Sequence, residues 1–367
     1  MYRVETETDV SDMARGAVFL GGGGGGDPRI GALFVVGQLR RGKHPLVISA
    51  DELDDDALVL PVAGVGAPTV IQEYLVSERT LRRLLDECRK LFGRPIDAVM
   101  SAEIGGFNSI MPLAAGMAAD LPVVDGDGCG RAVPHIEMTT FSIYGCRATP
   151  SVVTDDAGNV AHIFTVSDRA AEEIIRATCV GMGSRLVGAF YPMTGKQVKE
   201  TAVLGSLRQT LEIGRRIRSA RERQTDPIAD LLGFLDAPSA QRFARRLFAG
   251  RIVDVRRETR DGWHWAQVLL SGAAAEEPEF SLEIQNEILV ARREGRIVAT
   301  VPDIITVVDS ESAEPLAAER LTYGQRVHVI GYSADPKLRR REAVAVMGPR
   351  AFGFDFDFVP VEEIDPI

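Results

Sequence analysis

The chain has 367 residues, 45% hydrophobic and 26% charged, which is ample apolar material for packed cores and excludes a disordered polyelectrolyte. A formal net charge of −10 argues against a surface that neutralises nucleic-acid phosphates. The acidic start MYRVETETDVSDMARG lacks the basic lead and apolar centre of a signal peptide, and no apolar run reaches the roughly 20 residues of a membrane span, so a cytoplasmic protein with neither membrane nor nucleic-acid partners is expected.

Residues 9–20 have the apolar spacing of a helix and run into six consecutive glycines, residues 21–26. Asp27 can then cap a second helix with Pro28 at its first position, reaching about residue 42. Residues 45–50 and 57–63 are short apolar runs of strand type, and residues 69–92 repeat as a long amphipathic helix. A buried strand at 96–102, a helix at 109–119 and a strand at 121–125 complete an alternation that implies a mainly parallel sheet covered on both faces. Residues 168–248 read as largely helical with a glycine-rich break at 181–195. From residue 250 the pattern becomes two-residue alternation with turn signals at Asp261-Gly262 and Glu294-Gly295. The expectation is an α/β protein: an N-terminal mainly parallel α/β domain over residues 1–165, then residues 166–367, a helical segment followed by a β-rich unit. The basic runs 215–223 and 337–341 read as solvated faces, the second in a loop between strands. Cys88, Cys129, Cys146 and Cys179 show no paired spacing, so neither a disulfide framework nor a structural zinc site is expected, and Cys88 and Cys179 read as buried apolar residues.

Four segments carry residues suited to chemistry. The glycine run, with Gly22, Gly23, Gly24 and Gly25 at its centre, fits three readings: an anion-binding loop, a close approach of backbone to a flat substrate, or a hinge; the Lys-Ser/Thr ending of a P-loop is absent. In SAEIGGFNSIMP (101–112), Glu103 stands at a strand's carboxyl end, suited to acid/base work, and Asn108 can cap the helix or bind a ligand. In PVVDGDGCGRAVPHIEMTT (122–140), Asp125 and Asp127 bracket a glycine, with Arg131, His135 and Glu137 following. Two carboxylates with a cation and an imidazole can polarise water or bind a metal, and the rival reading is a polar loop of turn-capping aspartates. In the β-rich unit, Asn286 and Glu287 are poor strand formers in mid-strand, and Asp303 follows Pro302 between strands. They line a cleft or pair across an edge.

These segments, in this order, resemble the S-methyl thiohydantoin desulfurase family over nearly the whole length: LGGGGGGDP (20–28), VGAPTVIQEY (65–74), EIGGFNSIMPLAAG (103–116), PVVDGDGCGRAVPHIEM (122–138), QNEILVA (285–291), PDIITVVD (302–309) and GPRAFGFD (348–355). The resemblance implies an N-terminal α/β domain, a C-terminal β-containing domain and hydrolysis of an S-methyl thiohydantoin to a hydantoin with release of methanethiol. For that reaction the residues expected to be catalytic are Glu103, Asp125 and Asp127, with Glu103 or Asp125 the base and Asp127 its orienting partner. Substrate contacts are expected from Gly22 to Gly25 as a ring cradle, Asp27, Glu73, Asn108, Arg131, Asn286, Glu287 and Asp303, with Arg131 gripping a substrate carboxylate. Family members usually carry a larger apolar residue where this chain has Cys129, and an acid or another polar residue where it has His135. Neither a cysteine nucleophile nor a histidine metal ligand is therefore implied family-wide. No cofactor is required, a divalent metal is compatible, and partners are a small-molecule substrate with a homo-oligomer or a hydantoinase-type protein. The alternatives are an accessory subunit of an ATP-dependent hydantoinase and a metal-dependent hydantoin amidohydrolase.

Overall fold

The computed structural model describes residues 1–66, 70, 76–237, 242–260, 263–272 and 279–364. β1 (Tyr2–Arg3) leads into α1 (Glu7–Leu20), which starts on a capping box: the Thr6 hydroxyl accepts the Asp9 N–H at 3.0 Å and the Asp9 carboxylate accepts the Thr6 N–H at 3.1 Å. After the glycine loop, Asp27 caps α2 (Pro28–Leu39) by accepting the Arg29 N–H. There follow β2 (Leu46–Ile48), β3 (Leu58–Gly66), α3 (Glu78–Phe92), β4 (Ala98–Ser101), α4 (Gly106–Ala119), β5 (Val123–Val124) and β6 (Gly126–Asp127). Of the helix expected over residues 69–92, α3 covers the part from Glu78, where the Ser77 hydroxyl accepts the Thr80 N–H; Val70 is also helical, and residues 67–69 and 71–75 lie outside the described residues. The chain continues through α5 (Thr140–Ile143), β7 (Ser151–Thr154), β8 (Val160–Ile163), α6 (Asp168–Gly181), β9 (Arg185–Ala189), β10 (Met193–Thr194), α7 (Gly195–Thr201), β11 (Val203–Leu204), α8 (Ser206–Glu222) and α9 (Pro227–Leu235).

β2, β5, β4 and β3 form the parallel centre that the alternating sequence implies. Antiparallel strands extend it on both sides in the order β1-β2-β5-β4-β3-β9-β7-β8, with β10 also on β3, so the sheet is mixed. β9 and β10 come from the glycine-rich break at 181–195, so the middle segment supplies strands as well as helices. Alternation along β3 separates two cores. Leu58, Leu60 and Val62 face the layer of α1 to α4, while Val59 and Ala63 face Phe141, Tyr191 and α6.

The second sheet is antiparallel, in the order β16-β15-β14-β13-β12-β19-β17-β18: β12 (Ala244–Arg260), β13 (Trp263–Ser271), β14 (Phe280–Gln285), β15 (Glu287–Arg293), β16 (Arg296–Thr300), β17 (Ile304–Asp309), β18 (Pro315–Leu316) and β19 (Arg326–Tyr332). β12 pairs with β19 along its first half and β13 along its second, bending at register shifts near Arg246 and Ile252. Asn286 is not inside a strand as the sequence suggested. It sits at φ 57° between β14 and β15, where Gln285 already faces Glu287, and asparagine tolerates that left-handed turn.

α1 joins the parts. It packs on α8 so closely that a Cβ on Gly16 would lie 1.9 Å from the Thr210 carbonyl oxygen, and one on Gly214 1.9 Å from that of Asp12. Beside this contact the fully buried Asp12 accepts from Arg218 at 2.9 Å and Arg15 at 3.0 Å. The basic run 215–223 is thus an ion-paired helix face, with Arg215 on Asp9 and Arg221 on Glu314. The run 337–341 is not a solvated loop. It forms a short 3-10 turn entering α10 (Arg341–Met347), and Arg339 turns inward onto Asp303 and Glu362.

Candidate functional site

The carboxyl ends of the parallel strands collect the residues that the sequence singles out, as expected for an open α/β sheet. β3 brings Gly64 and β4 runs into Glu103, while just past β5 the short β6, paired antiparallel with β11 outside this sheet, ends at Asp127. The glycine loop leaving α1 crosses this edge. A Cβ on Gly25 would lie 2.4 Å from the Gly105 carbonyl carbon, one on Gly105 2.5 Å from Ala132 Cβ, and one on Gly24 2.2 Å from Glu287 Oε1. These contacts account for the glycines by a reason outside those three readings, close approach of the loop's backbone to the protein's own layers, because any side chain would wedge them apart. The loop is also tied to the second sheet, the Gly22 carbonyl accepting the Ile288 N–H and the Gly23 carbonyl the Ala318 N–H, both at 2.9 Å. Gly22, Gly23 and Gly24 are buried, and Gly25, Gly26 and Asp27 are partly exposed. Asp27 pairs with Arg29 and with Arg320, a second tie between the units.

Glu103 is partly accessible. Its Oε1 accepts the Asn108 amide at 2.6 Å and its Oε2 the Val133 N–H at 2.9 Å. Burial pushes this carboxyl up to about 7 against those two bonds, with the neighbouring Asp127 charge adding to the rise. Asn108 does not cap its helix. Gly105 holds the cap position, and Asn108 reaches across to Gly64, whose N–H its Oδ1 accepts at 2.8 Å. Asp127 is fully buried; its Oδ2 accepts the N–H groups of Ile104, Cys129 and Gly130 at 2.8–3.0 Å, its Oδ1 has no hydrogen-bond partner, and burial raises it to about 6. Glu287, 2% exposed, carries an Oε2 without a partner and is pushed up to about 8, first by burial and then by the Glu103 charge.

Arg131 lies among these acids, 2% exposed. It donates from Nε to the Ala132 carbonyl and from Nη1 to the carbonyls of Pro302 at 2.8 Å and Asp303 at 3.2 Å. Its guanidinium therefore clamps the two units together around the acids. The Asp303 carboxylate faces elsewhere, accepting from Arg339, Ala334 and Val361. Asp125 also points away from Glu103, its Oδ1 accepting the Arg208 N–H at 3.1 Å near the start of α8. The Cys129 thiol is fully buried, donates to the Arg131 carbonyl at 3.0 Å, and is held well above its ordinary range by burial and by the Asp127 and Glu103 charges. Glu73 lies outside the described residues. The structure thus gathers the glycine loop, Glu103, Asn108, Asp127, Arg131 and Glu287, and separates Asp125 and Asp303 from them.

His135 and Glu137 stand apart from Asp125 and Asp127 and meet Glu172 of α6, a residue absent from the sequence reading. Its place at a buried position of an amphipathic helix was the available signal. A cavity of about 30 Å³ lies beside Gly64 and Phe107, bordered by Val76, Asp155 and Arg185. A larger one of about 420 Å³ opens between Asp236, Arg242, Ser333 and Arg340, away from the acids; among its cations Arg242 pairs with Asp335 and Arg339 with Asp303. Among the described residues no helix is long and apolar enough to cross a membrane.

Two family models match the chain: S-Me-THD-like, N-terminal domain, over residues 8–165, and S-Me-THD-like, C-terminal domain, over residues 166–361. An X-ray crystal structure of a protein from Chromobacterium violaceum is similar, with a TM-score of 0.83 at 21% identity, covering 98% of this chain and 100% of that one, which shows a shared fold. No curated protein matches the chain.

Proposed function

The chain belongs to the S-Me-THD-like family, and we propose that it is an enzyme that hydrolyses an S-methyl thiohydantoin to the hydantoin and methanethiol. The observation that carries this reading is Glu103, a partly accessible carboxyl at a strand end, oriented by Asn108 and Val133 and pushed up to about 7. A base of that affinity takes a proton from water at neutral pH and gives it up again. In the proposed step the water oxygen bonds to ring carbon C2 while Glu103 accepts a proton. The C2–S bond then breaks. One water proton ends on the ring nitrogen and the other leaves on methanethiol, so Glu103 returns to its starting state.

Asp127 serves as a positioning residue, since its three accepted N–H groups fix the turns that carry Glu103 and Arg131. The partly exposed backbone at Gly25 and Gly26 is suited to meet the charge that develops on the ring nitrogen as water adds to C2. Incubation of the purified chain alone with an S-methyl thiohydantoin, with methanethiol followed by a thiol reagent, tests the reading. Release without ATP or a second protein is the expected result. Absence of release, or release only with ATP and a partner, would overturn it in favour of an accessory subunit.

A further inference from the structure

Beyond the acid cluster, the loop through residues 131–138 carries a second group of donors. The geometry points to a divalent transition-metal site formed by His135, Glu137 and Glu172. One ligand atom from each lies within 4.8 Å of the others, and His135 Nδ1 is 3.5 Å from Glu172 Oε1. First-row divalent ions bind such nitrogen and oxygen atoms at about 2.0–2.2 Å, so ligands around one ion stand no more than about 4.4 Å apart. Small side-chain rotations close the set.

Three further observations favour an ion over a plain His–Glu pair. Glu137 Oε2 is a buried carboxylate oxygen with no hydrogen-bond partner among the described residues, which an ion pair between His135 and Glu172 leaves unexplained. Glu172 is already held by its neighbours: its Oε2 accepts the Ile136 N–H at 3.1 Å, and Arg176 bonds both the Pro134 carbonyl and Oε1, the oxygen that also faces His135. Such outer partners are what hold a ligating carboxylate in place. The His135 side chain is 29% exposed, so an ion has a way in and room for water. One imidazole with two carboxylates suits zinc or manganese better than calcium, which takes oxygen ligands alone.

The test uses the full chain, stripped with a chelator and titrated calorimetrically with zinc chloride and, separately, manganese chloride. Saturable binding of one ion per chain is expected, weakened by about 100-fold in Glu137→Gln and His135→Ala. A second measurement needs no variant: modification of histidines by diethyl pyrocarbonate, mapped by mass spectrometry with and without zinc. Zinc should protect His135 and leave His44 and His162 reactive, since these have similar exposure and, among the described residues, each pairs with a single carboxylate. Failure to bind either ion, equal binding by both variants, or equal modification of His135 with and without zinc would each overturn the site.

Discussion

Glu103, Cys129 and Arg131 are near neighbours in very different environments, and each environment sets a different expectation. The Glu103 carboxyl sits at about 7 because burial outweighs the hydrogen bonds from Asn108 and Val133. A base must be ionised, so kcat/KM should fall about tenfold per pH unit below that value, and Glu103→Gln should lower kcat by about 10²- to 10⁴-fold with KM little changed. A pH profile of wild type beside saturating kinetics of the variant checks both. Cys129 is too buried and too weak an acid to act as a nucleophile, so Cys129→Ser, which keeps a donor for the Arg131 carbonyl, should retain most turnover. Arg131→Ala removes a buried cation that spans the two units and leaves Glu103 and Glu287 less compensated. It should lower stability by about 3–5 kcal/mol in denaturant unfolding, whereas a residue serving only to grip substrate would leave stability unchanged.

At the scale of elements, the α1–α8 contact rests on having no side chain at two positions. Gly16→Ala or Gly214→Ala should cost about 1–3 kcal/mol by separating the helices, against a gain of about 1 kcal/mol for the same change in an open helix; thermal unfolding checks the sign. This contact also marks what the sequence makes legible. The cap at Asp27 and the continuous apolar run of β3 are local signals, and the helices and parallel strands follow from signals of this kind. β9 and β10 are short strands inside a glycine-rich stretch, and the strand β3 that both pair with is more than a hundred residues away along the chain, so no local pattern announces them. The same limit applies to the site. Glu103 is visible as an acid ending an apolar strand, but the choice between Asp127 and Asp125 depends on side-chain direction, and Glu172 reads as one polar position on a helix until folding sets it against His135.

Across the whole molecule, the acids buried where the two units meet link protonation to folding. Glu287, Glu103 and Asp127 sit at about 8, 7 and 6 in the folded protein, raised from ordinary values of 4.5, 4.5 and 3.8 chiefly by burial. Between about pH 4.5 and 8 the folded state therefore binds more protons at these groups than the unfolded chain does. The slope of unfolding free energy against pH is negative there, so stability is lost as pH rises toward about 8 and levels off above it. Carboxylates shifted downward, such as Glu172 and Asp155, act in the opposite sense but only as pH falls below their unfolded values, outside this window. His328, whose value is lowered by burial, opposes the trend within the window as a single group. Denaturant unfolding at pH 5.5 and 8.5 should thus give a less stable wild type at the higher pH. Glu287→Gln keeps the shape of the side chain and removes the most strongly shifted of the three protons, so its loss between the two pH values should be smaller than that of wild type. An equal loss in both proteins would show that Glu287 is already ionised at pH 5.5 and that the Arg131 charge offsets its burial.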